Sequence, residues 1–319
     1  MCTAVCYKNL FGRNFDFEHG FGEEICFLPR KFRLSFLKEE EMQSHNAMIG
    51  VARLEKGTPL FYDAMNEHGL CAAALNFPGN AVYFLEKQGA KNLASFEIMT
   101  YILASCSNLA EAKTMLKNVN VLNENFCPEL PVTPLHWIFA DRTGSIVAEP
   151  LETGLVITEN PVGVLTNSPP FDYHLNNLGN YVGISPKDAE NSFSEKAFFS
   201  SQSRGTGAFG LPGDYSSPSR FIKAAFVKLN SLSEGEEDLS GLFHILGSVE
   251  QVKGCIRLKS GLEHTIYSSC MDMENKIYCY KTYENSRITA LLMKNENPET
   301  DYLRLWPMIK KQDMFFQDQ

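Results

Sequence analysis

The second residue of the chain is a cysteine, in Met1-Cys2-Thr3. Removal of an initiator methionine is favoured when the next side chain is small, as cysteine is. Cys2 would then carry a thiol and a free α-amine on one residue. An ordinary α-amine titrates near pH ~8 and a thiol near ~8.5, so the two are matched for proton transfer. The amine can serve as base for the thiol of its own residue, with no histidine required. Many unrelated chains begin Met-Cys, so at this point a catalytic and a bland reading both stand.

The next candidates lie in Phe11-Gly12-Arg13-Asn14-Phe15-Asp16-Phe17, where Arg13 and Asp16 interrupt an apolar strand. A buried charge is costly unless paired. An arginine near a thiol favours the thiolate, and an aspartate can hold an ammonium. Strict strand alternation puts Arg13 and Asp16 on opposite faces. A shared site therefore requires the strand to end or bend near Asp16, and Gly20-Phe21-Gly22 offers such a place. A structural ion pair is the alternative. Three more segments set a polar residue where a strand meets a turn or a helix begins. They are Leu75-Asn76-Phe77-Pro78-Gly79, Val164-Leu165-Thr166-Asn167-Ser168-Pro169, and Gly210 to Phe221 with Ser216-Ser217-Pro218-Ser219-Arg220. An asparagine is a good neutral donor for an oxyanion. An arginine at a helix start, such as Arg220, works against the helix dipole and points to a partner carboxylate or to solvent.

These residues must be positioned by strands and helices that the pattern predicts in a definite order. Thr3–Tyr7, Asn9–Phe15, Ile25–Leu28, Ala47–Val51, Leu60–Ala64 and Leu70–Leu75 read as short strands. Leu93–Cys106 carries apolar residues near a 3.6 period, and Asn108 is placed to cap a following helix. Strands return at His136–Ala140 and Ser145–Glu149 around an Asp141–Gly144 turn, then at Leu155–Thr158 and Val162–Thr166. Helices follow at Arg220–Leu232 and Leu239–Val252, and strands at Thr265–Met271, Ile277–Thr282 and Ile288–Met293. Segregated runs of strands and helices predict a layered α+β domain, with two stacked sheets and helices outside. No repeat or linker divides the chain, so residues 1–319 read as one domain.

Composition removes other classes. The formal charge of −9 argues against a broad nucleic-acid surface. Apolar runs such as Leu70–Leu75 fall far short of the ~20 residues of a membrane helix. No basic segment followed by an apolar one opens the chain, so no export signal is visible. The nine cysteines read as reduced thiols in a cytoplasmic protein. None of them forms Cys-x-x-Cys, and the histidines lack zinc spacing, so no metal or other cofactor is expected. A papain-like Cys–His pair finds no matching local pattern; His68, His136 and His174 read as structural.

Taken in order, Met1-Cys2-Thr3, the strand around Arg13, the Asn76, Asn167 and Arg220 segments, and Tyr278-Cys279-Tyr280-Lys281-Thr282-Tyr283-Glu284-Asn285 resemble the choloylglycine hydrolase family. The likeness covers essentially the whole chain. That family holds bile salt hydrolases and penicillin V acylases and belongs to the N-terminal nucleophile hydrolases. The sequence looks most like the bile salt hydrolases of Gram-positive gut bacteria. The resemblance implies a four-layer αββα sandwich with Cys2 as nucleophile after loss of Met1. It implies that Arg13 and Asp16 position the thiol and amine of Cys2. An oxyanion hole would come from the Asn76 backbone N–H and the Asn167 side chain, and Arg220 would support the charge balance. Phe15, Phe126, Leu130 and Leu135 match acyl-pocket positions, and Phe126 and Leu130 could equally well pack their own loop. The implied substrates are conjugated bile acids, with penicillin V as the alternative; a non-catalytic binding protein on the same scaffold is less favoured with Cys2 present. The Ser203-Arg204-Gly205 stretch is associated in the family with the choice between glycine and taurine conjugates, and Arg204 favours glycine. The exposed segment from Asp188 to Pro212 is similarly associated with assembly, which implies a homo-tetramer.

Overall fold

The computed structural model describes residues 1–233 and 238–318. Its chain opens with β1 (Cys2–Tyr7), β2 (Leu10–Phe17), β3 (Glu24–Leu28), β4 (Met48–Glu55), β5 (Thr58–Asn66) and β6 (Cys71–Asn76). It continues through β7 (Lys91–Ala94), α1 (Ile98–Ser105), α2 (Leu109–Leu116) and β8 (Val119–Leu122). Then come β9 (Leu135–Asp141), β10 (Gly144–Leu151), β11 (Gly154–Glu159) and β12 (Val164–Leu165). Helices α3 (Phe171–Asn177), α4 (Ser217–Asn230) and α5 (Asp238–Gly247) precede β13 (Ile256–Arg257), β14 (Leu262–Asp272), β15 (Ile277–Thr282), β16 (Thr289–Leu292) and β17 (Arg304–Pro307).

Two large antiparallel sheets form the middle of the molecule. One runs β12-β1-β2-β14-β15-β16, with β13 paired to β14; the other runs β11-β10-β9-β6-β5-β4-β3-β17. Helices α4 and α5 cover the outer face of the first sheet, and α1 and α2 cover the second. The layers are therefore α, β, β, α, as the resemblance implies. One apolar core fills the space around the first sheet, including Val5, Phe11, Ile138, Phe221 and Leu246. A second lies between the other sheet and its helices, around Ile102, Leu116 and Phe139. Among the described residues no helix is long and apolar enough to cross a membrane.

Two features of this frame shape the site. Strand β5 pairs with β6 only over Asp63–Met65, and its next residue back, Tyr62, is no longer bonded to β6. Arg13 spans the place where the strands part, donating from Nη1 to the carbonyls of Tyr62 at 2.7 Å and Ala74 at 2.9 Å. The second feature is a register shift in β14 between Thr265 and Tyr267, opposite Phe15 and Asp16. Such a bulge strengthens the local twist where β2 nears its end.

The expected elements differ from the observed ones at a few points. The predicted helix Leu93–Cys106 begins only at Ile98, because Lys91–Ala94 pairs in parallel with Val119–Leu122. Leu93 suits either periodicity, and the partner strand decides. The predicted helix Leu239–Val252 ends at Gly247. Helix α2 starts where expected, with the Asn108 side chain accepting from the Glu111 N–H at 3.0 Å.

Candidate active site

The first strand carries the centre. Cys2 stands opposite Phe15 in β2, and Ala4 opposite Arg13, so Cys2, Arg13 and Phe15 share the face that looks between the sheets. Thr3, Asn14 and Asp16 share the other face, toward α4 and α5. Alternation is thus kept, and the bend expected near Gly20-Phe21-Gly22 is not what unites Arg13 with Asp16. Cys2 lies at the chain start, so its thiol meets Arg13 on one face while its backbone end meets the Asp16 face. One residue is served from both sides of the sheet.

Arg13 Nη2 donates to Cys2 Sγ at 2.7 Å, and its guanidinium carbon lies 5.0 Å from the centre of the Phe15 ring. Burial works against the Arg13 charge, but the Cys2 thiol, Tyr267 and Asp63 more than offset it, so the group is held charged. Asp63 in turn accepts from the hydroxyls of Tyr267 at 2.7 Å and Tyr278 at 2.5 Å, all three fully buried. On the other face Asp16 accepts from Thr265 Oγ1 at 2.5 Å, while its Oδ2 is buried with no hydrogen-bond partner among the described residues. Burial pushes the Asp16 carboxyl up; Arg220, the chain terminus and Thr265 oppose that push.

Arg220 arrives from the first turn of α4. Ser216 caps that helix, its hydroxyl accepting from the Ser219 N–H. Asp214 accepts from the Ser216 N–H at 2.9 Å and the Ser219 hydroxyl at 2.6 Å, which pulls its carboxyl down to about 2. Arg220 is almost fully buried. It donates to the Cys2 carbonyl at 2.6 Å, Thr3 Oγ1 at 2.5 Å, Asn167 Oδ1 at 2.8 Å and the Tyr215 carbonyl at 3.0 Å. Its partner carboxylate is Asp16, with Nη1 3.9 Å from Oδ2.

Asn167 follows β12 and is locked from several directions. Its N–H donates to Ser217 Oγ at 2.8 Å, and its carbonyl accepts from His174 Nε2 at 2.8 Å. That bond sets the His174 tautomer, and burial lowers the ring's affinity for a second proton. The Asn167 side chain accepts from Cys2 N at 2.7 Å and donates from Nδ2 to the Asn76 carbonyl at 2.7 Å. Asn76 stands opposite Leu135, and Phe77 N–H bonds the Pro134 carbonyl. By antiparallel alternation Asn76 is a non-hydrogen-bonded position, so its N–H points to the same side as its carbonyl, away from β9. Both groups therefore face the Asn167 side of the strand. One hydrogen on Asn167 Nδ2 and the Asn76 N–H remain for a ligand.

Cys2 and Asn76 line a cavity of ≈ 320 Å³ that opens where β5 leaves β6. Phe15, Phe126, Leu130 and Leu135 all line it. Phe17, Phe21, Phe61, Phe96, Met99 and Trp137 line it too and were not anticipated from sequence. Nothing in their local pattern separates them from core residues. Arg204, by contrast, is exposed and is not among the cavity's lining residues, so the expectation of a glycine preference gains no support from its position. In the structure Met1 is in place, its ammonium donating to the Asp16 carbonyl at 2.7 Å and to Glu263 Oε1 at 2.9 Å. Glu263 was likewise missed; a lone acidic residue at a strand start gave no signal.

An αββα sandwich whose first strand starts at a cysteine is the architecture of the N-terminal nucleophile hydrolases. The comparisons with known proteins narrow this class. Residues 2–303 match the linear amide C–N hydrolases of the choloylglycine hydrolase family. The chain is 48% identical, over 97% of its own length and 97% of the relative's, to the bile salt hydrolase/transferase of Lactiplantibacillus plantarum. A cysteine-to-alanine variant of the conjugated bile acid hydrolase from Clostridium perfringens superposes with a TM-score of 0.94 at 35% identity, covering 100% of both chains. The penicillin V acylase from Agrobacterium tumefaciens shares the fold, with a TM-score of 0.76 at 19% identity over 96% of this chain and 91% of its own. This chain belongs to the choloylglycine hydrolase family and is a linear amide C–N hydrolase.

Proposed function

We propose that this enzyme, once Met1 is removed, cleaves the amide of glycine- or taurine-conjugated bile acids by acyl transfer to Cys2. The observation that carries the reading is the cavity: the nucleophilic thiol shares an aromatic-lined space of ≈ 320 Å³ with the oxyanion donor Asn76. Such a lining suits a large, rigid, apolar acyl group with one reactive carbonyl. The names of the relatives from Lactiplantibacillus plantarum and Clostridium perfringens support the same substrate class.

The contacts support the following steps. The freed α-amine takes the thiol proton, and Arg13 stabilises the charge left on Sγ. Asp16 Oδ2, which among the described residues has no hydrogen-bond donor while Met1 is present, accepts from the new ammonium. The sulfur attacks the amide carbon, and the resulting oxyanion receives hydrogen bonds from the Asn76 N–H and Asn167 Nδ2. The ammonium returns its proton to the leaving amine as the C–N bond breaks, leaving a bile-acyl thioester on Cys2. Water then attacks, the amine takes its proton, and collapse releases the bile acid and the thiol. Arg220 holds the Cys2 carbonyl and Asn167 in register throughout. Phe15, Phe126, Leu130 and Leu135 seat the acyl group.

The finer setting belongs to the same proposal. The nine cysteines are free thiols, which suits the reducing cytoplasm. Phe193, Phe198, Phe199 and Phe209 stand exposed on the 188–212 segment, which suits burial in a homo-tetramer. A hydrolysis panel of glycocholate, taurocholate, penicillin V and an acyl homoserine lactone tests the substrate. Bile-salt cleavage well above the others is expected. Faster turnover of penicillin V would transfer the assignment to that acylase, and no cleavage of any amide by protein lacking Met1 would overturn it.

A further inference from the structure

Glu263 lies on β14 and is buried to 4% exposure. Among the described residues its carboxylate makes one hydrogen bond, to the Met1 ammonium at 2.9 Å across 262 positions of sequence. Loss of Met1 removes that partner, and a buried carboxylate without one is strongly disfavoured. Covalent geometry puts Cys2 N at most about 3.7 Å from Met1 N, so Glu263 lies within about 6.6 Å of the new terminus.

We propose that Glu263 is a positioning residue that holds the positive charge of the Cys2 α-amine in the mature enzyme. The inference rests on the Cys2 reading above.

The charges around the site make the argument. The amine is faced by the Cys2 thiol from β1, by Arg13 and Asp16 from β2 with Glu18 farther along, and by Arg220 from α4. His174 on α3 stands behind Asn167 and is held neutral. With the ammonium formed, the inner cations are the amine, Arg13 and Arg220. Against them stand the thiolate, Asp16 and Asp63, the last serving Arg13 and held by the Tyr267 and Tyr278 hydroxyls. That leaves Asp16 and Glu263 as the buried carboxylates beside the amine, and Glu263 matters the more because burial disfavours the ionised form of Asp16. Thr265, two residues along β14, already fixes Asp16, so a single strand carries both supports for the amine.

The test is the pH dependence of Cys2 alkylation by iodoacetamide in protein lacking Met1, followed at the Cys2 peptide by mass spectrometry. It needs no substrate, so a wrong substrate assignment shows in the hydrolysis panel and not here. Removing a negative charge shifts the ionisation of every neighbour the same way. Glu263→Gln and Glu263→Ala should therefore move the half-rise of alkylation to lower pH by about one unit, as expected for loss of a charge held within about 6.6 Å of the amine in partly solvated surroundings. Both limbs of the kcat/KM profile should move with it, and Glu263→Asp should bring them back toward wild type. Unmoved profiles in neutral variants that melt like wild type would overturn the proposal. So would loss of folding in both neutral variants with Glu263→Asp folded, which would mark the carboxylate as structural.

Discussion

Cys2 is gripped through three different atoms: Sγ by Arg13, the amide nitrogen by Asn167 and the carbonyl by Arg220. A residue so fixed contributes orientation, and little of the fold depends on its sulfur. Cys2→Ala should abolish hydrolysis while circular dichroism and melting stay near wild type; retained turnover would return the search to a Cys–His pair. Intact mass of active protein should show Met1 absent, since a blocked amine cannot act as base. Asn167 is both an anchor for Cys2 N and the proposed oxyanion donor. Loss of one such donor costs about 100–1,000-fold in kcat, so Asn167→Ala should fall at least that far with a smaller change in KM. At this scale the sequence was most legible. Cysteine at position 2, arginine and aspartate in an apolar strand, and asparagines at strand ends carry their chemistry in their type. Glu263 was not, because its meaning lies wholly in a partner 262 residues away.

The elements matter as mounts. Helix α4 brings Arg220 to the site, and its first turn is secured by Ser216 and Asp214. The Asp214 carboxyl is held down at about 2 by hydrogen bonds from Ser216 and Ser219. A carboxyl lowered in the folded state stabilises at pH values above its unfolded pKa, about 3.9, and that gain is lost as pH falls through the folded value. Asp214 is exposed, so screening keeps the effect small, about 0.5 kcal/mol. Asp214→Asn should lower stability by that much in urea titrations at pH 7, and the difference should vanish as pH falls toward 2. A difference that persists at pH 2 would assign the effect to shape and not to charge. Element type was readable wherever periodicity was strong, as in α2 with its Asn108 cap. It failed at Leu93 and Ala94, where pairing of Lys91–Ala94 with Val119–Leu122 overrode a helical pattern.

At the scale of the whole molecule, a thioester on Cys2 can be intercepted by any nucleophile that reaches it. The leaving amine departs by a path that an incoming amine can retrace. Incubation with a cholate conjugate and excess labelled amino acid should yield a labelled conjugate above a Cys2→Ala control, and none would appear if water outcompetes amines in the cavity. By itself the sequence determined the layered α+β class, the family resemblance, and the identity of Cys2, Arg13, Asp16, Asn76, Asn167 and Arg220 as candidates. Those follow from residue type, periodicity and order along the chain, all of which are local. Only the tertiary structure decided how Arg13 and Asp16 serve one residue. The strand does not bend to join them; the chain start offers its thiol to one face of the sheet and its backbone end to the other. The cavity was likewise beyond local reading. Phe61, Met99 and Trp137 are patterned as core, and they line open space because β5 and β6 part company beyond Asp63, a consequence of pairing between distant strands.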